Sequence, residues 1–134
     1  MSSDAKTASI RETWPLLFVQ DIARSLDFYR DRLGFEVVHE AQNDGQVFWC
    51  RLKRDHSSLM LQQAEPEDGE PQGRGRGVVL YFVCDDADAM HADLTARGLD
   101  LPEPETAYYG MRQVSVVDPD GYDLCFESPV DLIA

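Results

Sequence analysis

Asp123, Cys125 and Glu127 alternate along the apolar segment Tyr122 to Glu127, so a β-strand there projects all three from one face. Two carboxylates on one face can make a weak site for a hard cation. A glutamate set among apolar groups can also serve as a general base, because desolvation raises its pKa. Trp14, Phe18, Trp49, Met60 and Phe82 add ring and thioether surface of the kind that lines small-molecule pockets. Nucleophilic chemistry has less to draw on. Ser57 and Ser58 follow His56 directly, but adjacency near a turn does not build a nucleophile and its base. The histidines fall in three settings, His39 on a strand, His56 in a turn and His91 on a helix, and are read as surface or boundary residues rather than a metal cluster.

The elements that must position these groups come from an internal repeat. At an offset of 64, Val19 matches Val83, Asp21 matches Asp85, Ala23 matches Ala87 and Leu26 matches Met90, and the match runs on to Gly34/Gly98 and Phe35/Leu99. Each copy reads as an apolar strand, an Asp helix cap, an amphipathic helix and a glycine that ends it. In copy one the strand is Trp14 to Gln20 and the helix Ile22 to Leu33, with Ile22, Leu26, Tyr29 and Leu33 on its apolar stripe. Strands at Phe35 to Ala41, Val47 to Lys53 and Ser58 to Gln63 follow, separated by turn formers. Copy two repeats the order with a strand Val78 to Cys84, a helix Ala87 to Arg97, and strands at Asp100 to Glu103, Gln113 to Val117 and Tyr122 to Glu127. Asp118-Pro119-Asp120-Gly121 closes the last two into a hairpin. The expected fold is α+β, two βαβββ modules in one domain over 1–134, with module one at about 14–63, a Gly- and Pro-rich linker at 64–76 and module two at about 77–128.

Composition bounds the partners. Twelve basic residues stand against 25 acidic ones, a formal net charge of −13, which excludes the basic footprint that nucleic-acid binding needs and admits a cationic ligand. No run is long and apolar enough for a membrane span, and Met1 to Thr13 lacks a hydrophobic signal core. Three cysteines in apolar strand patterns suit reduced, packed thiols, and the expected location is the cytoplasm.

VxDIxxSLxFYRDxLGFE over Val19 to Glu36, together with DPDGYxLCFE over Asp118 to Glu127, resembles the vicinal oxygen chelate superfamily, which includes glyoxalase I, extradiol dioxygenases, and fosfomycin and bleomycin resistance proteins. The resemblance covers about residues 14 to 130. It implies curved half-barrel sheets with helices outside, and a divalent metal held by one residue from the first and last strand of each module. By strand parity those four places fall on Trp14, Met60, Val78 and Cys125, a thiol, a thioether and two carbon frameworks that make no facial metal site. Among the branches, the pattern is most similar to the metal-free bleomycin resistance proteins, which are acidic dimers that sequester a cationic drug.

The resulting expectation is a small-molecule binder without metal or cofactor, sequestering or sensing an aromatic or cationic ligand as a homodimer. Trp14, Phe18, Met60, Phe82 and Cys125 form its apolar walls, Gln62, Gln113 and Glu127 its polar handles, and Trp49 and Arg51 face the same cleft. Tyr109 and Arg112, in the loop leading into the seventh strand, border it. Two alternatives stay open: a glyoxalase- or dioxygenase-type enzyme with a displaced metal site or Glu127 as general base, and a protein-interaction module with a filled cavity.

Overall fold

A computed structural model of the chain describes residues 6–130. The order is β1 (Leu16–Val19), α1 (Ile22–Asp27) running on as one π-helical turn (Phe28–Arg32), β2 (Glu36–Asn43), β3 (Gln46–Arg54) and β4 (Ser57–Gln63). After a short 3-10 turn at Pro66–Asp68 come β5 (Val79–Val83), α2 (Ala87–Ala96), β6 (Glu105–Thr106), β7 (Met111–Val117) and β8 (Asp123–Pro129). They form two four-stranded sheets, β1-β4-β3-β2 and β5-β8-β7-β6. In each, the first strand pairs parallel with the last and the rest are antiparallel. The fold is therefore α+β with two βαβββ modules.

One strand differs from expectation. Asp100 to Glu103 forms no strand, and the ladder to β7 is made two residues later, by Glu105 and Thr106 opposite Gln113 and Arg112. Pro102 and Pro104 have no N–H to donate, so the preceding stretch cannot hold a ladder.

The repeat also has a finer register than a constant offset of 64. Asp21 caps α1 by accepting from the Ala23 and Arg24 amides, and the residue doing the same for α2 is Asp86, which accepts from Asp88 and Ala89. Asp85 does not cap. The caps are thus 65 apart, whereas the glycines that end the helices at positive φ, Gly34 and Gly98, are 64 apart. The π turn at Phe28–Arg32 absorbs the extra residue, which is what a π bulge does in an otherwise α-helical segment. Consequently Leu16, not Leu17, is the counterpart of Tyr81. The strand pairing agrees, since Leu16 lies opposite Met60 as Tyr81 lies opposite Cys125.

Both sheets turn one face to a shared core. Leu17, Val19, Cys50, Leu52, Leu59 and Leu61 pack with Ile22, Tyr29 and Leu33 in module one, and Val114, Val116, Leu124 and Phe126 pack with Leu94 in module two. Polar groups join the modules. The Tyr29 hydroxyl donates to Asp118 Oδ2 (2.7 Å), and Asp118 Oδ1 accepts from the Asp120 and Tyr122 amides (both 2.9 Å). Burial pushes the Asp118 carboxyl above its ordinary pKa despite these bonds, and it pushes the Tyr29 phenol far up, with the Asp118 charge adding to it. On the opposite side Arg54 pairs with Asp93 (3.1 Å) and donates to the Leu33 carbonyl (2.7 Å).

Candidate functional site

Because the core claims alternate residues of each strand, the others form an outer face on each sheet. On the first sheet this face carries Trp14, Leu16 and Phe18 with Met60 and Gln62 of β4 and Trp49 and Arg51 of β3, Arg51 lying opposite Met60 and Trp49 opposite Gln62. Trp14 is 41% exposed. The Arg51 guanidinium carbon sits 4.2 Å from the Trp14 ring centroid, and Arg51 Nη1 donates to Ser58 Oγ (3.1 Å). One face of the Trp14 ring is therefore already covered by a cation of the protein's own. Trp14 Nε1 donates to Glu12 (2.9 Å), and the His39 ring meets Trp49 edge-on at 5.5 Å between centroids. Phe18 borders a cleft of about 450 Å³ where β1 approaches β5.

The outer face of the second sheet is acidic. Val79, Tyr81 and Val83 of β5 lie opposite Asp123, Cys125 and Glu127 of β8, and on the other side Gln113 of β7 lies opposite Glu127. Gln113 Nε2 donates to Glu127 Oε1 (3.0 Å) and to the Tyr109 oxygen (2.6 Å), while the Tyr109 hydroxyl donates to the same Glu127 oxygen (3.4 Å). Desolvation first and the Glu127 charge second push the Tyr109 phenol up, so it stays a neutral donor at pH 7. Tyr81 is 51% exposed and Val83 71% exposed, so aromatic and aliphatic surface surrounds this carboxylate. The Cys125 thiol is buried and pushed up to about 11, by desolvation first and then by the Glu127 charge.

Two residues expected in the cleft lie elsewhere. Phe82 falls opposite Phe126 in the β5–β8 register and so belongs to the core side, where it stacks on Phe126 (5.0 Å) and meets Phe35 edge-on (5.8 Å). Arg112 lies opposite Ser128, on the α2 side, and its Nε and Nη2 donate to Asp88 while Nη1 donates to Thr106. Residues that sequence reasoning missed are Tyr81 and Glu12. Tyr81 was within reach: with the caps taken as Asp21 and Asp86, the strand parity of Leu16 carries over to it.

The same shift corrects one inherited metal position. The counterpart of Trp14 is Val79, not Val78, which instead borders the cleft between β1 and β5. The four positions are then Trp14, Met60, Val79 and Cys125, and their only donors are a thioether and a thiol held protonated. That set does not suit a divalent metal that wants oxygen, imidazole or thiolate ligands. Among the described residues no three His, Cys, Asp or Glu side chains are grouped as a metal would require. His39, His56 and His91 sit on β2, in the β3–β4 turn and on α2, respectively.

Comparison with known proteins matches residues 12–126 to the model of the Glyoxalase/Bleomycin resistance protein/Dioxygenase superfamily. A search of the curated proteins gives no match. Among solved structures, TnmS3, an antibiotic binding protein from Streptomyces sp. CB03234, is 25% identical, with 92% of this chain and 99% of that one covered and a TM-score of 0.69. A superfamily member from Sphaerobacter thermophilus DSM 20745 is 27% identical over 89% of this chain and 98% of its own, at a TM-score of 0.65. A bleomycin-binding protein complexed with bleomycin shares the fold, with a TM-score of 0.69 and 22% identity over 89% of this chain and 98% of that one.

Proposed function

The chain belongs to the glyoxalase/bleomycin resistance protein/dioxygenase superfamily, and from that premise we propose that it binds a small aromatic molecule carrying a cationic or hydrogen-bond-donating group, without a metal and without chemistry on the ligand. The observation that carries this reading is the preset carboxylate of Glu127. Its Oε1 is held by Gln113 and Tyr109 on a face whose other members, Val79, Tyr81 and Val83, are exposed and apolar or aromatic. A charged acceptor fixed in partly apolar surroundings recognises a donor more strongly than one in free water. The first sheet offers the complement: Arg51 on Trp14, with Trp49 and Met60 alongside. A flat ligand between two such faces would meet rings on both and opposite charge at its two ends. The similar TnmS3 is an antibiotic binding protein, which supports a small-molecule ligand for this chain.

Exposed rings and aliphatic groups on both outer faces also support a homodimer that covers them, since apolar surface of this kind seldom stays bare. Three free cysteines fit a reducing, cytoplasmic setting. Among the described residues no helix is long and apolar enough to cross a membrane. Tryptophan fluorescence titration against a panel of aromatic amines and drugs, bleomycin included, tests the binding, with native mass spectrometry reporting stoichiometry. A saturable change, unaltered by chelator, is expected. A response that appears only when a divalent metal is added would reject the metal-free reading.

A further inference from the structure

The two modules meet at two matched joints, and only one of them is filled. At the first, the β7–β8 turn enters beside the start of α1. The Tyr122 ring is buried there, its hydroxyl donates to the Phe18 carbonyl oxygen (2.7 Å), and Asp120 accepts from the Gln20 amide (2.8 Å). Gly75 clears space for the ring, because a Cβ at that position would lie 2.4 Å from Tyr122 Cδ1. At the second joint the β3–β4 turn enters beside the start of α2. The strand register that equates Leu16 with Tyr81 and Met60 with Cys125 also equates Phe18 with Val83, Gln20 with Asp85 and Tyr122 with Ser57. A hydroxymethyl group therefore stands where the other joint has a phenol. Ser57, Val83 and Asp85 all border one cavity of about 590 Å³, walled by Phe35, Phe82 and Phe126. That volume falls within the range of small-molecule sites.

The missing phenol leaves its acceptor behind. The Cys84 amide donates to the Glu127 carbonyl, so β5 turns the Cys84 backbone toward β8 and the Val83 carbonyl the other way, to the unpaired edge of the sheet. Charge at the mouth is acidic. Asp93 is paired with Arg54 (3.1 Å) and Asp86 caps α2, while Asp55 meets Arg54 only at 3.9 Å and Asp85 does not cap. We propose that this cavity is a second ligand site, separate from the outer faces, for a single-ring phenol bearing an ammonium arm. The hydroxyl donates to the Val83 carbonyl as Tyr122 does to Phe18, the ring lies against Phe35, Phe82 and Phe126, and the ammonium is drawn to Asp55 and Asp85. This site does not depend on the outer-face reading above.

Tyramine is the probe, followed by amide resonances of the full chain. Binding at millimolar concentration or tighter should move the Ser57, Val83 and Asp85 amides. Ser57→Tyr, which supplies the missing ring from within, should abolish it. Phenethylamine, which lacks the hydroxyl, should bind about fivefold more weakly, the order of one ordinary hydrogen bond to an accessible acceptor, and this comparison needs no variant. Shifts confined to Gln113, Cys125 and Glu127, equal affinity for the two amines, or full tyramine binding by folded Ser57→Tyr would each overturn the proposal.

Discussion

Tyr29→Phe removes one oxygen from the centre of the joint between modules and leaves the ring. Tyr29 and Asp118 are 0% and 4% exposed, and their bond is 2.7 Å long. The phenyl ring would keep its edge-on contacts with Phe28 and Phe35 (5.4 and 6.1 Å), so little packing is lost. What is lost is a hydrogen bond to a buried carboxylate, which is worth about 1.5–3 kcal/mol. Two backbone donors on Oδ1 remain, which argues for the middle of that range rather than its top. The effect depends on pH with a definite sign. The Asp118 carboxyl is raised in the folded state, so the folded protein binds its proton more readily than the unfolded chain does. Ionised Asp118 therefore costs stability above its folded pKa, and that cost fades as pH falls toward the unfolded value. In the variant the carboxylate has lost a donor, so its pKa rises further and the cost grows. The deficit of Tyr29→Phe should be about 2 kcal/mol at pH 7 and shrink toward the ~1 kcal/mol of a neutral hydrogen bond near pH 4. Denaturant unfolding with circular dichroism at both pH values measures it. A deficit under about 0.5 kcal/mol at pH 7, or one that grows on acidification, would refute the reasoning.

The thiols offer a second test: with Cys50 and Cys125 each pushed up to about 11, both should resist Ellman's reagent in the native state at pH 8 and react on unfolding, and rapid native labelling of Cys125 would contradict its burial. Arg112→Ala should leave ligand affinity unchanged and cost about 0.5–1 kcal/mol of stability through its half-exposed pair with Asp88; a tenfold loss of affinity in calorimetry would return it to the cleft. Placing His at positions 14 and 79 and Glu at 60 and 125 should create affinity for nickel or manganese by elemental analysis, whereas the same set with His at 78 in place of 79 should not.

How much of this was legible in the sequence follows from which signals are local. The α1 cap, the ending glycines, the Asp118 to Gly121 turn and the inward or outward parity of β1, β3, β4 and β8 are set by residues within a few positions of one another, and they read correctly; the α2 cap, aligned to Asp85 by the constant offset, falls on Asp86 instead. Phe82 and Val78 failed for one shared reason. A π turn in the middle of the first helix carries one extra residue, which leaves hydropathy periodicity almost untouched yet shifts every β5 assignment to the other face. Arg112 failed for a related one, since its side of β7 depends on the pairing of Gln113 with Glu127, a contact fourteen residues long-range. The Arg51 cation on Trp14 and the cavity at Ser57 depend on tertiary placement, which spacing alone does not carry.

The central claim is that Glu127 anchors a ligand on the outer face without metal. Isothermal titration of chelator-treated protein with an aromatic amine that responds in the fluorescence panel, beside Glu127→Gln at low and high salt, tests it most directly. The account predicts saturable binding to the treated protein, weakened by salt, and a loss of about 1–3 kcal/mol in Glu127→Gln, the range for a charged hydrogen bond. Affinity equal in the two proteins and indifferent to salt would contradict it.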